Sequence, residues 1–469
     1  MPKFDAVVIG SGPNGLAAAI TLAQAGRSVI VYEAENTIGG GARSAELTLP
    51  GFVHDVCSSV HPWGFSSSFF QSLPLHEYGL RWIQPAAALA HPFDDGSAII
   101  LTYSLAADCA QFGADAKTVA NLFAPLVENW QAFCDDTLRP LRFPRHPFLL
   151  ARFGLHALSG AAQFAPAKFK TTQAQAVFAG MAAHTAMPLD ARGSSAFGLF
   201  LWASAHATGW PFAAGGSQSI ANALAAHLRK LGGEVKTDAR VNSLKDLPET
   251  RVVLCDVTPR QLAAIARDAL SQSEREKFQR HQYGPGVFKV DWALDAPIPW
   301  NAKACAEAGT VHIGGTLEEM IASEAAANGG AVAERPFVLL AQPSLFDPAR
   351  APEGKHVAWG YCHVPHSSAT NMLDRIEAQI ERFASGFKSH VIGRSVMSPA
   401  DLENHNANLI GGDISGGSLT LGRLLHNTSG AYKTSDRRVF MCSSSTPPGP
   451  GVHGLCGHFA ASLANSKLH

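Results

Sequence analysis

The chain has 469 residues, 46% of them hydrophobic and 16% charged, with 37 lysines and arginines against 38 aspartates and glutamates. A chain of this length buries a large core and divides into two or more domains, and its apolar content excludes an intrinsically disordered protein. A formal net charge of −1 without a block of basic residues excludes a nucleic-acid-binding protein.

Residues Phe4–Ile9 (FDAVVI) read as a short buried strand, and Gly10-Ser11-Gly12-Pro13-Asn14-Gly15 follows as G-x-G-x-x-G. A helix is predicted over Leu16–Ala25 and a second strand over Ser28–Tyr32, closed by Glu33. Gly10 permits the tight turn, Gly12 lets a pyrophosphate approach the backbone, and Gly15 allows helix and strand to touch. The phosphates would sit on the helix N-terminus, around Pro13 and Asn14, where free N–H groups and the dipole favour anions. Glu33, with Ala34 beside it, is placed to accept hydrogen bonds from a ribose diol. The next turn, Ile38-Gly39-Gly40-Gly41-Ala42-Arg43-Ser44, chooses the nucleotide. A plain NAD domain needs no second Gly-rich turn here, whereas a flavin dinucleotide laid along the sheet does. Gly40, Gly41, Arg43 and Ser44 are its predicted contacts, Arg43 neutralising a phosphate with its planar fork.

The run from Glu33 to Pro62, containing IGGGARSAELTLPGFVHDVCSSVHP, resembles the phytoene desaturase-like branch of the FAD-dependent amine oxidase superfamily. That resemblance implies an α/β protein: a Rossmann-like FAD-binding domain with a discontinuous α+β substrate domain, and FAD as cofactor. The expected division is FAD domain 1–85, substrate domain 86–205, FAD domain 206–280, substrate domain 281–402 and FAD domain 403–469. The eight cysteines include no C-x-x-C pair, so no redox dithiol is visible.

In the first substrate segment, Asp115–Asp135 reads as one helix, kinked at Pro125, with Val119, Leu122, Phe123, Leu126, Trp130 and Phe133 facing the core. Pro147–Ala167 is apolar with basic shoulders at Arg139, Arg142, Arg145, Lys168 and Lys170. It is read as a lid or wall of an apolar pocket, with contact to a membrane surface as the alternative. The turn at Gly215-Gly216, the helix Ser219–Leu231, the strand Glu234–Thr237 and a second short strand at Val241 resemble the family's adenine-end unit. Gly215, Gly216 and Val241 are therefore expected beside the cofactor or its pocket. In the predicted strand Gly284–Leu294, Val287, Lys289, Asp291 and Ala293 share one face. The family resemblance aims Lys289 at flavin N5; the simpler readings are a pairing with a nearby carboxylate such as Asp291, or a lysine solvated at a sheet edge. Strands are predicted at Phe337–Ala341 and His356–His363, with an amphipathic helix at Asn371–Ser385. Cys362, His363 and His366 lack a second convergent cluster, and no metal site is expected.

The chain closes with a strand Arg438–Cys442, a Pro/Gly turn carrying Gly451, Val452 and His453, and a helix Gly457–Ala464. This resembles the family's C-terminal flavin segment, with serines where relatives carry an aspartate. His61 and His453, both in these flavin motifs, join Lys289 as candidate catalytic residues. Ser466-Lys467-Leu468 resembles a peroxisomal address, but His469 follows it.

The resemblance implies an FAD-dependent desaturase or dehydrogenase passing a hydride equivalent between a small lipophilic, isoprenoid-like substrate and flavin N5. A flavin amine oxidase, a redox-neutral flavin isomerase, and a flavin-free binder of prenylated proteins like the Rab GDP-dissociation inhibitors are the alternatives. With scattered cysteines and a strand beginning at residue 4, the expected location is cytoplasmic, with peripheral membrane contact as its variant; oligomeric state stays open.

Overall fold

The computed structural model describes residues 3–420, 422 and 428–468. A five-stranded, wholly parallel sheet runs in the order Val439–Met441, Thr250–Cys255, Phe4–Ile9, Val29–Tyr32, Glu234–Lys236. Parallel sheets are covered on both faces, and the runs AVVI and VVLC suit that setting. Ala6 and Val8 pack under the helices Pro13–Gln24, Gln218–Lys230 and Leu455–Asn465. Ile9, Val253 and Cys255 join a second cluster with Leu262 and Ala263 of the helix Pro259–Ile265. The first and last helices meet backbone to backbone: a Cβ on Gly457 would lie 1.8 Å from the Asn14 carbonyl oxygen.

A second, seven-stranded sheet has the order Val391–Met397, Gly286–Leu294, His356–Val364, Val338–Ala341, Ala308–Ile313, Ala87–Pro92, Ala98–Leu101. It is antiparallel except where Ala308–Ile313 runs beside Ala87–Pro92. Every residue of Gly286–Leu294 is buried. A helical layer between residues 105 and 208 covers part of this sheet around Phe123, Phe178 and Trp202. A short pairing of Trp82–Ile83 with Phe212–Ala213 lies between the sheets: Ala213 packs in the core of the first, and Phe212 packs with Ala341 and Trp359 of the second.

Two local expectations are corrected. Asp115–Asp135 is two helices, Ala116–Glu128 and Trp130–Thr137, and the break falls at Asn129 (φ −112°, ψ 29°) rather than at Pro125. Pro125 has no N–H for the Asn121 carbonyl, and Arg152 Nη2 supplies the missing donor at 2.7 Å. Asn129 Nδ2 donates in turn to the Pro125 carbonyl at 3.0 Å, drawing the chain out of the helix four residues on. The apolar segment Pro147–Ala167 contains the helix Pro147–Ala157 and most of a second, Ala161–Lys168. Val241 lies in a loop, not in a strand. Among the described residues, no helix is long and apolar enough to cross a membrane.

Candidate active site

A cavity of about 420 Å³ opens above the C-terminal end of the parallel sheet and runs on to the helical layer. Ligands of open α/β sheets bind at that edge. Gly10, Gly12, Pro13, Asn14, Glu33, Ala34, Gly40, Gly41, Arg43, Val241, Gly451 and Val452 all lie on its wall. Gly15 stands behind the wall: a Cβ there would lie 2.1 Å from the Gly10 carbonyl oxygen, so strand and helix could not close. The two Gly-rich turns abut, since a Cβ on Gly40 would come within 3.1 Å of Gly12 Cα.

Glu33 is 5% exposed. Its Oε2 accepts from Ser11 N at 3.0 Å and from Ser11 Oγ, and its Oε1 accepts from Glu35 N at 3.0 Å. These donors fix the carboxylate at the cavity edge. Arg43 is equally buried but poorly matched: its closest acceptors are Glu33 Oε1 and the His405 carbonyl, each at 3.4 Å, and its Nε has none. A buried guanidinium with unused donors calls for an anion. Together with the glycine cradle and the unpaired buried Asn14 Oδ1, it fits the diphosphate and ribose of FAD.

Three predicted contacts point elsewhere. Ser44 Oγ donates to Asp55 Oδ1 at 2.8 Å and accepts from Gln218 N at 3.1 Å, so Ser44 faces the protein interior. Gly215 and Gly216 are also off the wall. The Gly215 N–H is taken by Asp347 Oδ2 at 2.7 Å, and a Cβ on Gly216 would lie 2.3 Å from Ser44 Oγ. Those glycines serve the packing beneath the site.

Of the three candidate catalytic residues, Lys289 and His61 line the cavity. His453 does not. Leu455 N donates to its Nδ1 at 3.0 Å and its Nε2 bonds the Gly449 carbonyl at 3.2 Å, so both ring nitrogens are consumed inside the terminal loop. His61 Nε2 lies 3.2 Å from Ser58 Oγ, and burial, partly offset by Asp55, lowers the imidazole to about 4. Lys289 is 2% exposed and its ammonium bonds Asp291, as two residues apart on one strand face allows. Lys289 thus lies on the cavity wall and is ion-paired to Asp291, which rules out a solvated sheet edge. Asp291 is raised to about 6 by burial, against the pull of Lys289, and faces His54 Nδ1 at 3.6 Å. Asp55, also buried, lies 2.9 Å from Arg350. Burial would raise it, but Arg350 and donors from Ser217 and Ser44 hold it at about 2.

Asp256 was not foreseen. It ends the strand Thr250–Cys255, and its Oδ2 accepts from Gly15 N at 2.9 Å, inside the phosphate turn. Burial, reinforced by Glu33, raises it to about 7, against the Gly15 N–H. The far wall was also missed. Trp359 and Tyr361 pair across the sheet with Asp291 and Lys289, so all four share a face, and the two rings meet edge to face at 5.3 Å. Alternation along His356–Val364 carried that signal. Phe197, Leu201, Trp210 and Leu339 complete an apolar end. His184 there shares one proton with His312, Nε2 to Nε2 at 2.9 Å, and burial lowers it to about 3.

Residues 14–357 match the model of the family described as flavin containing amine oxidoreductase. The chain is 25% identical over 554 aligned positions to pyridine nucleotide-disulfide oxidoreductase domain-containing protein 2 of Rattus norvegicus, covering 100% of this chain and 94% of the relative. It is 23% identical over 276 positions to the lycopene-forming phytoene desaturase of Pseudescherichia vulneris, covering 52% of this chain and 53% of that one. The crystal structure of an oxidoreductase from Methanosarcina mazei superposes with a TM-score of 0.67 at 16% identity, over 98% of this chain and 99% of that one. The chain belongs to the flavin containing amine oxidoreductase family and is an FAD-dependent oxidoreductase.

Proposed function

We propose that the enzyme is a desaturase or dehydrogenase that takes a hydride equivalent from a lipophilic, isoprenoid-like substrate. The observation that carries this is the chemistry of the far wall. The cavity's acidic wall residues, Glu33, Glu35 and Asp256, all stand at the nucleotide end. Phe197, Leu201, Trp210, Leu339, Trp359 and Tyr361 offer the other end aromatic and aliphatic surface and no carboxylate to hold a cationic amine. The partial match to a phytoene desaturase supports the same substrate class.

FAD, when bound, supplies the two-electron acceptor. Glu33 would hold its ribose, Arg43 and the N-terminus of Pro13–Gln24 its phosphates. Trp359 and Tyr361 press the substrate from the sheet side and help exclude water. Burial keeps the wall imidazoles His61, His184 and His405 below their ordinary value. None of them is a strong base at neutral pH, which suits removal of a hydride before loss of the proton. Lys289 sets a positive charge on the wall, balanced by Asp291.

A lipophilic amine is the second reading, favoured by the Trp359–Tyr361 pair, since aromatic rings attract cations. Anaerobic mixing of the holoenzyme with isoprenoid polyenes and with lipophilic amines, following the flavin absorbance, separates the two. Bleaching by the polyene supports the proposal; bleaching by amines alone overturns it.

A further inference from the structure

Soluble proteins scatter their exposed apolar side chains. This one gathers them. Among the described residues, the well-exposed large hydrophobics outside 141–158 are Leu231, Ile392 and Val396. The segment itself shows Leu141, Phe143, Phe148, Leu155 and Leu158, with Phe143 87% and Phe148 90% exposed. The helix Pro147–Ala157 is anchored from its other side, where Leu149, Leu150 and Phe153 pack into the helical core and Phe153 meets Phe133 at 4.8 Å. Phe148 and Leu155, two turns apart, are left pointing outward from a fixed helix. None of the segment lines the cavity, so the expected lid or pocket wall is not what it forms.

The charge around these side chains is mostly positive: the nearest acids are Asp135 and Asp136, and Asp136 is taken up by Arg145 N, His146 N and the His146 ring. No aspartate or glutamate occurs from residue 137 to residue 189, while Arg139, Arg142, Arg145, Arg152, Lys168 and Lys170 all fall there. Arg142, Arg145 and Lys168 form no ion pair among the described residues. Protruding phenylalanines within a cation cluster match a leaflet with acyl chains below anionic headgroups. A second copy of this chain would bring the same cations against themselves.

We propose that residues 139–170 dock the enzyme on the surface of an anionic phospholipid bilayer, with Phe143, Phe148, Leu155 and Leu158 inserted and the arginines at the headgroups. The docking helix packs on the helix Ser194–Thr208, whose Phe197 and Leu201 line the cavity. Docking therefore brings the apolar end of the cavity to the side of the molecule from which a membrane-dissolved substrate would arrive. This last use rests on the lipophilic substrate proposed above; the docking itself does not.

Sedimentation of the holoenzyme with vesicles tests it, using phosphatidylcholine alone and phosphatidylcholine mixed with phosphatidylserine. Binding is expected to the mixed vesicles, weakening with salt. Phe143→Ser/Phe148→Ser and Arg142→Glu/Arg145→Glu should each lower the bound fraction by about tenfold or more. The flavin spectrum of each variant should match the parent, showing that the fold and cofactor site are intact. Failure to bind the mixed vesicles overturns the proposal, as does equal binding to both vesicle types or unchanged binding by both variants. Dimerisation lost in Phe143→Ser/Phe148→Ser, without vesicle binding, would assign the patch to a second copy instead. Substrate turnover is not read, so a failure here leaves the substrate assignment standing, and an inert polyene leaves the docking standing.

Discussion

The buried Lys289–Asp291 pair makes a prediction that does not depend on the substrate. Lys289→Met and Asp291→Asn break the same bond, yet they should not cost the same. Burial raises Asp291 to about 6, and the largest opposing influence is Lys289. Without that cation the carboxyl rises further and takes up a proton near neutral pH, so the Lys289→Met variant neutralises itself. Asp291→Asn leaves the Lys289 ammonium, 2% exposed, facing a neutral amide. Removing one partner of a buried pair costs about 3–5 kcal/mol, which is the expectation for Asp291→Asn. Lys289→Met loses about 1–3 kcal/mol, the scale of a lost buried hydrogen bond. The pH dependence separates the variants. An acid raised in the folded state loses stability as pH climbs from the unfolded value, 3.8, to the folded value, and is level above it. That window closes near pH 6 in the parent and should extend past neutrality in Lys289→Met, at up to about 1.4 kcal/mol per pH unit. Urea unfolding at fixed free FAD, from about pH 5 to about pH 8.5, measures both effects. Equal losses in the two variants, with a pH-independent offset between Lys289→Met and the parent, would refute the reasoning.

Other sites give sharper readings of cofactor binding. Glu33→Gln puts an amide –NH2 against Ser11 N or Glu35 N whichever way it turns, so FAD affinity, read by fluorescence titration of apoprotein, should fall by about 10- to 100-fold. Because Asp256 is neutral only below about 7, the diphosphate should bind more weakly as pH rises past that value. Asp256→Asn should flatten that pH profile. Gly15→Ala, with a Cβ 2.1 Å from the Gly10 oxygen, should give protein without flavin absorbance, whereas Gly26→Ala, with nothing within 4 Å, should keep it. At the substrate end, Lys289→Met should retain FAD while flavin reoxidation by oxygen slows by about tenfold, watched in stopped flow.

The nucleotide end was largely legible because its chemistry is local. A strand, three glycines, a helix and an acid lie within thirty residues, and each glycine has a backbone reason to be there. Glu33 and Arg43 fall where that pattern puts them. Asp256 escaped notice because it reaches the same turn from 241 residues beyond Gly15, through the pairing of Thr250–Cys255 with Phe4–Ile9. His453 misled because a histidine in a flavin-type motif says nothing about whether its nitrogens are already bonded. Ser44 and Gly216 were placed on the wrong side of their turn, a choice made by contacts with Asp55 and Ser217 from other segments. Trp359 and Tyr361 were readable as one face of a strand, but only the register with Lys289 shows which way that face looks. The segment 141–158 could be seen as apolar and basic; its exposure depends on how firmly Leu149, Leu150 and Phe153 hold it from behind.

The parallel sheet takes its edge strand from Val439–Met441, and the helix that follows it lies against the backbone of the helix Pro13–Gln24. During synthesis the helix behind the phosphate-binding turn therefore lacks one of its packing partners until residues 455–465 have been made. The cofactor site should close only when Leu455–Asn465 docks. Flavin uptake should accordingly follow that docking, and a nascent chain arrested before Val439 should emerge colourless however much FAD surrounds it.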